Sequence, residues 1–154
     1  MGKTNLTFAG IDIGESGALA FVHSGNLRPS VFPFRYYSIY DLGQMLLNFK
    51  PHTICLENPP GYMPGNGKKS IKSLFMNYGV WVGMLESLGL EYNPVTPQTW
   101  QRDVGCRTGG DKKVSHRFAT KMFPSLKVTH LTADALLIAQ YTKMVYGDQE
   151  CEIY

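Results

Sequence analysis

The first apolar block of the chain, residues 6–13 (L-T-F-A-G-I-D-I), is short, nearly continuous and closed by Gly14, the pattern of a buried strand. A second block, residues 17–23, follows after a few residues around Glu15-Ser16, so the two predict an antiparallel hairpin. Residues 27–37 predict a third strand, and Pro29 and Pro33 assign it to a sheet edge, where a missing amide donor breaks no ladder. From residue 38 the period changes. Ile39, Leu42, Met45, Leu46 and Phe49 recur at helical spacing behind Ser38, a good N-cap, and Pro51 stops them. Residues 52–57 (H-T-I-C-L-E) predict another buried strand, ended by Asn58-Pro59-Pro60-Gly61.

After a Gly/Pro-rich loop at 61–67 comes the longest periodic segment. Ile71, Leu74, Phe75, Tyr78, Trp81, Val82, Leu85 and Leu88 repeat at three and four residues and predict a helix that Gly89 ends. Residues 90–95 read as a short strand, and Thr96-Pro97 opens a helical turn through residue 101. A loop at 105–110 precedes a helix capped by Asp111 and running to residue 123, with Val114, Phe118 and Met122 as its apolar stripe. A last helix, residues 132–146, gathers Ala133, Leu136, Leu137, Tyr141, Met144 and Val145 on one face. The resulting order, βββαβαβααα, predicts an α/β fold with a mixed five-stranded sheet flanked by helices.

Composition narrows this to one class. With 154 residues, 44% of them hydrophobic and 18% charged, the chain suits a single globular domain over residues 1–147 with a loose acidic tail at 148–154, and disorder is excluded. No run approaches the roughly 20 apolar residues of a membrane span, and the polar start M-G-K-T-N lacks a signal-peptide core, so an intracellular protein is expected. Cys55, Cys106 and Cys151 form no CxxC pair, which leaves reduced thiols as the default. The net charge of +3 conceals an asymmetry: residues 1–64 balance, residues 65–127 carry +6 and residues 128–154 carry −3. A basic middle suits a polyanion, although an ordinary solvated surface has the same composition.

Three acids occupy costly positions. Asp12 interrupts an apolar strand, Glu57 terminates another, and Asp134 stands beside Ala133, Ala135 and Leu136 near a helix start. Each alone has an ordinary explanation: a turn, a strand end, a favourable helix N-terminus. Together they resemble a divalent-metal site, because buried carboxylates are expensive unless paired or bound to a cation. Mg²⁺ takes hard oxygen ligands and keeps several waters, and two ions on shared carboxylates can activate water against a phosphodiester. His130 lies four residues before Asp134, one turn away if the helix has already begun, where it can orient or deprotonate the water or act as a fourth ligand. An exposed loop histidine is the plainer alternative.

The segments A-G-I-D-I-G-E-S-G-A-L-A (9–20), I-C-L-E-N-P (54–59) and H-L-T-A-D-A-L-L-I-A (130–139) resemble the RuvC-like Holliday junction resolvases, most of all their phage and chloroplast-type members. The intervening Y-G-V-W-V-G (78–83), T-P-Q-T-W (96–100) and the stretch from Asp111-Lys112-Lys113 to Phe123-Pro124 fall in the same order, so the likeness spans nearly the whole chain. It implies a ribonuclease H-like fold, a homodimer, and paired symmetric nicks in four-way DNA junctions by metal-dependent hydrolysis. It implies two Mg²⁺ ions per active site, which Mn²⁺ can replace, held by Asp12, Glu57, His130 and Asp134. It also implies a place for Lys112 near the scissile phosphate. This chain has Gln101-Arg102 where the family often carries a lysine. A DNA-associated protein follows, cytoplasmic in a prokaryotic or phage setting.

Lys68, Lys69 and Lys72 crowd the start of the long helix, where the macrodipole disfavours positive charge unless a phosphate docks there or the side chains reach into solvent. Lys113, Arg117 and Lys121, with Arg102 and Arg107, form a second basic edge suited to the phosphate backbone. Tyr62 and Met63 of the 61–67 loop are candidates to wedge into an opened junction. Phe75 and Tyr78 read as core or dimer interface, and Trp81 as core. Trp100 packs either beside the acidic site or as a structural tryptophan. The same residues also suit a broader nuclease of flaps and forks, or a non-catalytic junction-binding protein.

Overall fold

The computed structural model describes residues 5–60, 65 and 67–147. Tyr62, Met63, Cys151 and the tail at 148–154 lie outside the described residues. Strands β1 (Thr7–Asp12), β2 (Ala18–His23) and β3 (Ser30–Pro33) are followed by helix α1 (Ile39–Phe49), strand β4 (Thr53–Glu57), helix α2 (Lys68–Ser87) and strand β5 (Asn93–Val95). Helices α3 (Pro97–Val104), α4 (Lys112–Met122) and α5 (Ala133–Tyr146) complete the chain. The spatial order is β3-β2-β1-β4-β5. β3, β2 and β1 pair antiparallel, whereas β4 and β5 run parallel to β1.

The expected edge position of β3 holds, but its length does not. Only residues 30–33 pair, and Pro33 caps a single 3-10 turn, Phe34–Tyr36, that turns the chain towards α1. Pro94 similarly leaves only three residues in β5. α1 begins where Ser38 and Asp41 form a reciprocal capping box, and it ends with Lys50 in the left-handed region at φ 47° just before Pro51. α3 outruns its expected single turn and reaches Val104, closed by Gly105 at φ 84°. α2 starts three residues before its apolar stripe, so Lys68 and Lys69 form its first turn.

The sheet separates two cores. Side chains of Ile11, Leu19, Phe21, Ile54 and Leu56 meet Leu42 and Leu46 of α1 and Trp81 and Leu85 of α2 on one face. On the other face Phe8, Ala18, Ala20 and Cys55 meet α5, with Trp100 of α3 and Ala119 of α4 beyond. α5 is apolar nearly all round because it is covered on nearly all sides: Ala133, Ala135, Leu136, Leu137, Ile138 and Ala139 are all buried. Gly10 is what lets it come so close. A Cβ there would collide with the backbone of Ala135, Ile138 and Ala139, so α5 rests directly on the β1 backbone. Thr142 adds a tether, donating from Oγ1 to the carbonyl of Ala9 at 3.1 Å. No helix among the described residues is long and apolar enough to cross a membrane.

Candidate active site

Parallel pairing of β1 and β4 brings two of the three acids together. The register matches Ile11 with Leu56, and one residue further along each strand stand Asp12 and Glu57, at the carboxyl ends where open α/β sheets form their clefts. The close seat of α5 over Gly10 then delivers Asp134, in that helix's first turn, to the same end of β1. Three distant segments thus converge through one strand register and one glycine contact.

The electrostatics record the crowding. Asp12 is only 7% exposed, and burial together with the Asp134 charge pushes its carboxyl up to about 6, against opposing help from the Gly14 amide and Lys112. Glu57 is pushed well above the usual carboxylate range, first by burial and then by the Asp12 charge, while its bond to Trp100 and the charge of Lys112 pull it down. The amide of Gly14 donates to Asp12 Oδ1 at 3.1 Å, and the indole Nε1 of Trp100 donates to Glu57 Oε2 at 2.9 Å. Asp134 Oδ1 is sealed from solvent and meets no hydrogen-bond donor among the described residues. A buried anionic oxygen without a partner costs several kcal/mol, and a cation would remove that cost.

The donor set is therefore one of hard oxygens that repel each other until a cation joins them, which fits a divalent ion such as Mg²⁺. It is an open set: among the described residues no three His, Cys, Asp or Glu side chains are spaced to hold a metal ion by themselves. Among the described residues Lys112, in the first turn of α4, is the cation whose charge reaches both Asp12 and Glu57.

His130 stands in the turn that precedes α5 rather than in the helix itself. α5 begins at Ala133, so His130 belongs to the preceding turn, in which Thr132 Oγ1 accepts from the Thr129 amide at 2.9 Å. Thr129 and Thr132 also bond through their hydroxyls, and the amides of Thr132 and Ala133 both reach back to the Thr129 carbonyl at 3.1 Å, so a hydrogen-bonded turn leads from His130 into α5. The His130 ring stacks on that of His116, with centroids 4.3 Å apart.

The basic candidates divide into three groups. Lys68, Lys69 and Lys72 are exposed on α2, whose cap residue Gly67 offers no side chain to the free amides. Lys113, Arg117 and Lys121 are exposed along α4 at four-residue spacing. Arg102 and Arg107 line an open groove of about 640 Å³ with Pro60, Gln98 and Gly110, and Arg102 also pairs with Asp103 at 2.6 Å. Gln101 shapes that groove by accepting from the amide and hydroxyl of Thr108.

The structure joins the two alternatives that the sequence leaves for Trp100, and it adds a contact of His116 that the sequence does not announce. Trp100 is a site residue as well as a core one, and the Thr96-Pro97 helix start after β5 is the signal that aims it back at the end of β4. His116 carries no signal, since its partner is fourteen residues away across a loop. Phe75 is 48% exposed, whereas Trp81 is buried as expected.

No protein-family model matches the chain, and no curated protein does. Among solved structures it is similar to Thermus thermophilus RuvC in complex with a Holliday junction substrate, at 16% identity and TM-score 0.61, covering 94% of this chain and 96% of that one. It is also similar to a second Thermus thermophilus RuvC structure, at 18% identity and TM-score 0.59, covering 94% and 97%. The fold is that of RuvC. The mixed five-stranded sheet with helices on both faces matches the α/β architecture expected from the sequence, and the similarity in fold runs over 94% of the chain rather than one motif.

Proposed function

We propose that the protein is a Holliday junction resolvase, an endodeoxyribonuclease that makes paired symmetric nicks in four-way DNA junctions. The observation that carries this reading is the convergence of Asp12, Glu57 and Asp134 at one sheet end, mutually repelling and with a buried oxygen left unpaired, on a RuvC fold. The phage and chloroplast-type branch is inferred from the three motif segments around Asp12, Glu57 and Asp134. The setting is intracellular and DNA-associated.

In this reading Asp12, Glu57 and Asp134 hold divalent metal, two Mg²⁺ ions per site or Mn²⁺ in their place. When bound, the metal supplies an activated water and charge stabilisation at the phosphate. The chain's own residues do the rest. Trp100 and the Gly14 amide fix the Glu57 and Asp12 carboxylates in orientation, each by occupying one oxygen. Lys112 brings a cation to the rim of the acids, where it offsets the charge of an arriving phosphate. His130, exposed and with no hydrogen-bond partner among the described residues, serves as proton acceptor or ligand for the water. Lys68, Lys69, Lys72, Arg102, Arg107, Lys113, Arg117 and Lys121 track the junction arms through phosphates.

A homodimer supplies two such sites for two strands. Exposed Phe75, Met76 and Val80 on α2, beside exposed Ile39 and Tyr40 of α1, support a second copy seated on this face. The test is cleavage of labelled four-way junctions against flaps, forks and linear duplex, with Mg²⁺ or EDTA, by wild type and Asp12→Asn. Symmetric paired nicks that require metal and Asp12 are expected. Equal cutting of flaps and forks would make the protein a general branched-DNA nuclease, and binding without cutting under any divalent metal would sink the catalytic reading.

A further inference from the structure

We propose that His116 is a positioning residue that sets the His130 imidazole for its work at the carboxylate site, so that α4 aligns both the cation and the imidazole of one centre. This deepens the resolvase reading and rests on it. Lys112 and His116 are four residues apart on α4 and therefore share a face. The Lys112 end of that face acts on Asp12 and Glu57. The His116 end grips the segment leading into α5 at two points. Its Nε2 donates to the carbonyl of Val128 at 3.1 Å, which fixes the plane of the ring, and that ring lies over His130 at 4.3 Å with the planes 30° apart.

The grip matters because of where His130 sits. It is exposed, it belongs to a turn rather than to a helix, and neither ring nitrogen has a hydrogen-bond partner among the described residues. An exposed side chain in such a turn samples several rotamers, and a group that must meet a water or a phosphate within a fraction of an ångström loses rate by doing so. The Thr129–Thr132 bonds hold the backbone of this turn, but they do not touch the imidazole. His116 is the described side chain that does. Stacking leaves both His130 nitrogens open, which suits a residue that acts on something outside the protein better than a residue that braces the core.

The experiment uses the full chain and four variants: His116→Ala, His116→Phe, His130→Ala and the double His116→Ala/His130→Ala. Single-turnover cleavage of a four-way junction in Mg²⁺ and junction Kd are measured for each, together with the His130 ring resonances in the metal-free protein. His116→Ala is expected to slow cleavage roughly tenfold to a hundredfold with Kd unchanged. His116→Phe, which keeps a stacking surface, recovers most of that rate, and His116→Ala adds no further loss once His130 is alanine. The His130 resonances lose their ring-current shift in His116→Ala and keep it in His116→Phe. Additive losses in the double variant, or His130 resonances that ignore His116→Ala while wild type still cuts, would overturn the positioning role and leave the resolvase reading standing. A wild type that cuts no junction would overturn both.

Discussion

The two faces of the sheet are built on opposite packing principles. On the α1/α2 face large side chains fill the gap: Phe21 stacks on Phe49 at 4.2 Å, and Phe34 leans on Trp81 at 5.0 Å. On the α5 face the sheet contributes Gly10, Ala18 and Ala20, α5 contributes Ala133, Ala135 and Ala139, and the helix touches strand backbone. A gap filled by flexible aromatics absorbs small errors, whereas backbone against backbone leaves no slack. The difference explains why the acids lie on the second face. Three like charges from β1, β4 and α5 stay together where the elements carrying them cannot move apart, and the apolar cores on both faces offset their repulsion.

The sharpest break of this comparison is Asp12→Asn. It keeps an acceptor for the Gly14 amide but removes the charge, so junction cleavage should fall by roughly three orders of magnitude in single-turnover assays. The metal-free protein should at the same time become about 2–3 kcal/mol more stable in urea melts, because Asp12 is buried against Asp134. A loss of both activity and stability would mean that Asp12 is a structural residue instead.

Next in size is a pair of glycine substitutions, one on each face. Gly10→Ala drives a methyl into the α5 backbone and should cost about 3 kcal/mol or more. Gly43→Ala on α1 meets the end of the Met84 side chain, at 3.1 Å from Sδ, which can swing aside, and should remain within about 1 kcal/mol of wild type. Equal costs in denaturant titrations would erase the distinction between a tight and a forgiving face.

The pH dependence follows from the same acids. Asp12 titrates near 6 in the folded protein against 3.8 for an ordinary aspartate, so folding favours its protonated form. That contribution is fully present below about pH 3.8 and is lost as pH rises through 6, and Glu57, also raised, acts in the same sense. The stability advantage of metal-free Asp12→Asn over wild type should therefore widen by about 2 kcal/mol between pH 4 and pH 7. Saturating Mg²⁺ should close that gap. A gap constant with pH would show that Asp12 is not destabilised by charge.

The mildest test is Trp100→Phe. It retains the buried ring but frees Glu57 Oε2, and the Mg²⁺ concentration for half-maximal cleavage should rise about tenfold with little change in junction affinity. An unchanged metal requirement would return Trp100 to a purely structural role.

How much of this the sequence discloses depends on range. Ser38 before α1, Asp111 before α4 and Pro97 after Thr96 mark helix starts through bonds between neighbours, and the structure places those starts accordingly. Asp12, Glu57 and Asp134 stand out as site candidates because a charge inside an apolar run is visible without knowing its partner. The one-turn spacing of His130 to Asp134 depends on the helix having begun before His130, which an apolar pattern cannot fix to within a turn, and the structure begins α5 at Ala133. The strand at 27–37 was too long because hydrophobicity cannot tell a paired residue from one in a 3-10 turn.

The sequence by itself therefore determined the order of the elements, their caps, the acidic residues worth attention and the basic middle of the chain. These are properties of residue type and near neighbours. Only the tertiary structure decided that β1 and β4 pair in parallel with Ile11 against Leu56, that Gly10 is the seat of α5, that Trp100 reaches Glu57 and that His116 covers His130. Each of those is a contact between segments far apart in the chain, chosen by packing and register, and a pattern that reads one segment at a time holds no information about which distant partner it will meet.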